Sequence, residues 1–194
     1  MIEPPPAAPT LHEAAEWIIR ALKDEDFPVL LCGRSALDYQ GEYTGSVDVD
    51  ILIGTDFRGA LSVLDAYADR GDLFPVGAVP GSVVRYLVRG DKLVDVMTVS
   101  SVHPDLFNIL RREASTPLDM GTAGKVRAVT REGYFVLAIM IGRKGFAREK
   151  EDPMLKVREG WALVGAQTNR GKVERILSRL GIKNGLDRAL ERGQ

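Results

Sequence analysis

The chain has 194 residues, enough for one domain with a sizeable core and a helical appendage but too few for two large domains. Hydrophobic residues make up 45% and charged residues 27%, with a formal net charge of −1, so nothing in the bulk charge calls for nucleic acid or an anionic membrane. Cys32 is the only cysteine, which excludes an intramolecular disulfide and a cysteine-built zinc site, and no apolar run approaches the roughly 20 residues of a membrane span. With an acidic, proline-rich start unlike a signal peptide, these features lead us to expect a cytoplasmic protein.

Residues 1–9 contain Pro4-Pro5-Pro6 and read as an extended, poorly ordered tail. Thr10 with Glu13 three residues on forms a capping box, and Leu11, Ala15, Ile18 and Leu22 recur at helical spacing behind it. Residues 29–32 are a short apolar run expected to be a buried strand, closed by Gly33. Residues 33–41 read as a tight turn into a short helix ended by Gly41, which places backbone N–H groups where the strand finishes.

The stretch 46–53, Ser-Val-Asp-Val-Asp-Ile-Leu-Ile, is the anomaly around which the chain is organised. Strand side chains alternate, so Asp48 and Asp50 share one face roughly 7 Å apart while Val47, Val49 and Ile51 take the other. Two acids at a strand end are usually just solvated. Here they sit in an apolar strand, where a divalent metal would offset their repulsion; Mg²⁺ or Mn²⁺ suits carboxylate oxygens.

Ala60, Leu61, Leu64 and Ala68 mark a helix that stops before Gly71, and residues 72–82, with Pro75, Gly77, Pro80 and Gly81, read as a loop. Residues 83–88 and 92–97 read as a hairpin joined by Arg89-Gly90-Asp91. Its second strand places Asp95 in an apolar run, while Arg85 and Lys92 are expected to face solvent. Residues 101–124 read as turns around a short helix near 106–111, and 125–129 as a short edge strand. The run 134–141 favours a buried helix, broken by Gly142 to Gly145; the mixed charges of 143–152 read as a solvated connection. Helices are expected near 155–164 and 172–180, with 186–192 as a fraying end. The chain thus divides into the tail, a domain over 10–124 and a mainly helical portion over 125–194.

Three features stand in order: an apolar strand ending in Gly33 and Ser35, the pair Asp48 and Asp50, and Asp95 on a later hairpin strand. This order resembles the nucleotidyltransferase superfamily typified by DNA polymerase beta, and most of all the minimal nucleotidyltransferases of the AbiEii-type toxin group. The likeness covers roughly residues 28–97, with the motif's glycines on Gly33 and Gly41, its loop threonine on Ser46 and its carboxylates on Asp48 and Asp50. Three positions depart from the pattern: Arg34 for a small residue, Thr44 for a loop arginine, and Ala138 for a helix lysine.

The resemblance implies an α/β (α+β) nucleotidyltransferase fold, a small mixed twisted sheet flanked by helices with a helical C-terminal portion. It implies transfer of a nucleotidyl group from a nucleoside triphosphate to a hydroxyl on a small molecule, protein or RNA. Asp48, Asp50 and Asp95 would hold Mg²⁺ or Mn²⁺, with Asp95 as second-metal ligand or general base. Gly33, Arg34, Ser35 and Ser46 would bind nucleotide and phosphate. The departures leave an alternative open, a degenerate binding or regulatory protein, for instance of a toxin–antitoxin pair. A partner protein or a second copy is also within the reading. RNA is a candidate acceptor through Arg143, Lys144, Arg148 and Lys150, against which the interleaved Glu149, Glu151 and Asp152 argue. His12 and His103 read as surface residues, and Cys32, Trp17 and Trp161 as packing residues.

Overall fold

The structure is a computed structural model that describes residues 2–3, 5–54, 56–143, 152 and 154–191. In chain order its elements are α1 (Leu11–Lys23), β1 (Val29–Cys32), α2 (Gly33–Asp38), β2 (Asp48–Ile53), α3 (Phe57–Ala68), β3 (Leu73–Val79), β4 (Val83–Val88), β5 (Lys92–Thr98), α4 (Leu106–Glu113), β6 (Ser115–Asp119), β7 (Lys125–Val129), α5 (Arg131–Arg143), α6 (Leu155–Val164), α7 (Arg170–Arg179) and α8 (Gly185–Glu191). The seven strands form one mixed sheet in the order β3-β4-β5-β2-β1-β7-β6. Because β7 pairs in parallel with β1, the sheet runs straight across the division expected after residue 124.

α1 forms as expected: the Thr10 side chain accepts from the Glu13 amide and the Glu13 side chain from the Thr10 amide, closing the capping box. Its apolar stripe of Ile18, Ile19 and Leu22 is fully buried against β1, β2, β5 and α3. β1 is buried along its whole length, since both its faces are covered. The run after Thr130 is a helix, as its length suggested, and α5 packs against α6, α7 and α8 to form the helical portion.

Several expectations are corrected. Residues 72–82 are not a loop, since β3 pairs with β4 across a bulge between Pro75 and Gly77. β6 occupies part of the stretch read as turns. It covers β7, which is therefore interior rather than an edge. Val47 precedes β2 and is 76% exposed, so it does not share the buried face of Val49 and Ile51 as expected. Lys144, Arg148 and Lys150, with most of the expected charged connection, and Arg192 at the expected fraying end lie outside the described residues.

Ile2, Glu3 and Pro5 of the tail bond to the rest of the chain. Ile2 is buried and its amide donates to the Tyr67 hydroxyl at 2.9 Å. Trp17 Nε1 donates to the Glu3 carbonyl at 2.9 Å, and Arg89 Nε to that of Pro5 at 3.2 Å. Each bond satisfies a polar atom next to the core, which no proline count could show. Replacing Ile2 by alanine is expected to lower the unfolding free energy by about 1–2 kcal/mol in urea melts. A tail without these contacts would give no change.

Candidate active site

β2 and β5 run parallel with Asp50 opposite Asp95, and β4 runs antiparallel to β5 with Arg85 opposite Asp95. Residues directly opposite share a sheet face, so Arg85, Asp95, Asp50 and Cys32 of β1 form one row across four strands, with Asp48 two residues along the same face. The three acids sought from the sequence therefore lie on one surface. Asp95 is buried, whereas Asp48 and Asp50 are half-buried.

The row is not a bare carboxylate cluster. Arg85 grips Asp95 with a two-pronged bond, Nε to Oδ1 and Nη2 to Oδ2, both 2.6 Å. The same Nη2 stands 3.8 Å from Asp48 Oδ2. The expectation that Arg85 simply faces solvent is thus corrected. Lys92, by contrast, pairs with its neighbour Asp91 at 2.7 Å. The signal was present: with residues 89–91 as the hairpin turn, paired positions sum to a constant and Arg85 falls opposite Asp95.

Among the described residues Asp50 forms no ion pair, unlike Asp48 and Asp95. Burial first, then the charges of Asp48 and Asp95, push its pKa up to about 7, against the opposing pull of Lys156 and Arg85. Burial likewise pushes the Cys32 thiol up, aided by Asp50 and Asp95. A carboxyl whose folded pKa exceeds its unfolded value binds an extra proton in the folded state, so stability falls as pH rises from about 4 to about 7 and is then flat. In chelator, Asp50→Asn is expected to remove this decline from the thermal midpoint; an unchanged slope would contradict it.

Gly33 and Ser35 set the position of Asp50. Gly33 has φ +66°, and a Cβ there would stand 2.7 Å from Asp50 Cγ and closer still to Oδ2. The Asp50 carboxylate therefore rests against the bare backbone where β1 turns into α2. Ser35 is buried; its hydroxyl donates to the Cys32 carbonyl at 3.0 Å and accepts from the Asp50 amide at 3.3 Å. That hydroxyl braces β1, α2 and β2. Ser46 is likewise engaged, its hydroxyl lying 2.9 Å from the Asp48 carbonyl and 3.2 Å from Asp48 Oδ1.

Sequence reasoning missed Asp38. It accepts from the Ser46 amide at 2.7 Å and from the Thr44 amide, and Thr44 Oγ1 donates to the Arg34 carbonyl at 3.3 Å. Burial pushes the Asp38 carboxyl up, but the bonds from Ser46, Thr44 and Gly45 outweigh it and hold the pKa below the usual range. This Asx-type tie fixes the loop leading to Asp48. Arg131 pairs with Glu42 at the loop's other side.

In the helical portion, the charge of Lys156 on α6 acts on Asp50. Tyr134 of α5 donates to the Lys156 carbonyl at 3.1 Å. Burial raises its pKa, while Arg34 nearby acts in the opposite sense. Arg34 and Lys156 are exposed.

A divalent cation is chemically suited to this donor set: three carboxylates on one face against a single guanidinium, with Asp50 left to hold a proton near neutral pH. Among the described residues no three His, Cys, Asp or Glu side chains converge on one point as they stand. Both oxygens of Asp95 are directed at Arg85.

No family model matches the chain, and no curated protein matches its sequence. Its fold does have counterparts. The antibiotic-resistance factor ANT(2'')-Ia, solved in solution, superposes with a TM-score of 0.55 at 15% identity over 88% of this chain and 90% of that one. Its crystal structure with adenylyl-2''-tobramycin gives 0.54 at 15% identity over 89% and 99%. An antigenic nucleotidyltransferase-like protein from Paracoccidioides brasiliensis gives 0.50 at 14% identity over 93% and 92%. The architecture is the nucleotidyltransferase fold, a mixed α/β sheet flanked by helices. The AbiEii-type subgroup rests on the motif resemblance alone. No helix among the described residues is long and apolar enough to cross a membrane.

Proposed function

We propose that this protein is a Mg²⁺- or Mn²⁺-dependent nucleotidyltransferase that moves a nucleoside monophosphate from a nucleoside triphosphate to a hydroxyl acceptor. The observation that carries the reading is the register of β2 and β5, which sets Asp50 beside Asp95 with Asp48 on the same face. Asp48 and Asp50 would hold the cation, with Asp95 as the third acid. When bound, the metal neutralises phosphate charge and lowers the pKa of the acceptor hydroxyl. Gly33 leaves room for the Asp50 carboxylate at the mouth of the site. Arg34 and Lys156, both exposed beside the row, offer the triphosphate two cations, and Asp38 keeps the approach loop in place. The acceptor oxygen forms its bond to the α-phosphorus, the bond to the bridging oxygen breaks, and pyrophosphate leaves; the hydroxyl proton goes to Asp95 or to water. ANT(2'')-Ia solved with adenylylated tobramycin makes a small polyhydroxylated molecule a natural first acceptor to try.

A second reading is favoured by one observation, the closed pair of Arg85 and Asp95. In it the scaffold serves as a binding or regulatory partner, for instance in a toxin–antitoxin pair, and transfers nothing. Incubation with radiolabelled ATP, GTP, CTP and UTP in Mg²⁺, together with hydroxylated small molecules, total RNA and a cell extract, separates the two. The transferase reading expects label on one acceptor class; a binding partner labels none.

A further inference from the structure

Arg85 stands at the centre of the acidic row, yet the transfer chemistry above gives it no part. Its guanidinium spans Asp95, at two contacts of 2.6 Å, and Asp48, at 3.8 Å, which is the place between carboxylates that a cation would take. The Asp95 bond raises the Arg85 pKa further, so the group stays charged throughout. The arrangement is not locked. The Arg85 side chain is 42% exposed, and the residue opposite it on β3 is Gly77, beside the Pro75–Gly77 bulge. A Cβ at Gly77 would meet nothing within 4 Å, so the sheet face beside Arg85 is open on the side away from the acids. A long side chain with one occupied end and free space beside it can leave without disturbing the core.

We propose that Arg85 is an internal counter-ion that holds the acidic row closed in the absence of substrate and exchanges it for the triphosphate when metal and nucleotide arrive together. This rests on the transferase reading. The exchange is balanced in charge. A divalent cation satisfies Asp48, Asp50 and Asp95, while the displaced guanidinium meets the negative charge the triphosphate brings, to which its fork geometry is suited. The consequence is linkage between two ligands: each binds weakly alone, because Arg85 opposes the metal and has no phosphate to receive it, and each strengthens the other.

The test is Mn²⁺ binding followed by electron paramagnetic resonance and calorimetry, with and without a non-hydrolysable nucleoside triphosphate, in the wild type, Arg85→Met, Arg85→Lys and Asp48→Ala. Circular dichroism and thermal melts show that each variant is folded. The proposal expects Arg85→Met to bind Mn²⁺ alone at least about tenfold tighter than wild type. It also expects nucleotide to enhance Mn²⁺ affinity at least about tenfold in wild type and by much less in Arg85→Met. Arg85→Lys keeps the charge without the fork and falls between. Equal or weaker Mn²⁺ binding in a folded Arg85→Met overturns the proposal. If Mn²⁺ binds wild type, is lost in Asp48→Ala and is indifferent to Arg85, the exchange falls and the transferase reading stands. If no protein binds Mn²⁺ in either condition, both fall.

Discussion

Asp48→Asn is expected to lower the rate of nucleotidyl transfer by about 10³-fold or more while leaving the fold intact. The substitution is nearly isosteric and removes a single negative charge from a half-buried position at the start of β2. A carboxamide is a poor ligand for a hard cation, and about 4 kcal/mol of lost transition-state stabilisation corresponds to three decades in rate. Stability moves little or rises, because the row carries three acids against the guanidinium of Arg85 and one like charge is gone. The measurements are a time course of labelling on whichever acceptor class takes up nucleotide and a thermal melt of the same sample. A variant that keeps its rate within about tenfold of wild type would remove Asp48 from the chemistry.

Gly33→Ala is expected to damage the site more than the fold. At φ +66° any residue with a Cβ carries a cost of about 1–2 kcal/mol. The added methyl would also collide with the Asp50 carboxylate, whose Cγ lies 2.7 Å from its position. Relief requires Asp50 to swing off the face it shares with Asp48 and Asp95, since the Asp50 backbone is held by Ser35 and by pairing with Cys32 and Asp95. The expected result is a loss of about 1–2 kcal/mol in denaturant melts together with loss of Mn²⁺ binding. A variant that binds Mn²⁺ like wild type would show that Asp50 can act from another rotamer.

What could be read from the sequence was what lies along the chain. The capping box of Thr10 and Glu13, the buried β1 run, the alternation in β2 and the hairpin of β4 and β5 each carry their own local signal, and each stands where expected. The two strands that were missed, β3 and β6, are the two edges of the sheet, and each contains a proline, Pro75 and Pro117. Proline interrupts a strand pattern in sequence but is tolerated at an edge, where its missing N–H can face outward. Missing β6 made β7 look like an edge, although it lies inside the sheet.

The acidic residues of the site were legible because a charge inside an apolar run is conspicuous. Their neighbours were not. Asp38 sits in a short polar helix end where an acid attracts no notice, and its role depends on a loop that folds back over it. The charge of Lys156 acts on Asp50 because α6 packs on α5, a contact between distant segments with no local pattern. Ser35 was noticed, but its hydroxyl turns inward because Cys32 and Asp50 supply both partners. Arg85 was assigned to solvent because alternating hairpin charges usually face it, and its partner follows only once the cross-strand register is counted out.

The most direct measurement of the central claim is a crystal soaked with Mn²⁺ and a non-hydrolysable nucleoside triphosphate, read by anomalous diffraction. The expected result is a Mn²⁺ peak in contact with Asp48 and Asp50 on the β2 face, with the triphosphate against it. No peak at those carboxylates in crystals that hold the nucleotide, or a peak only elsewhere, would contradict it.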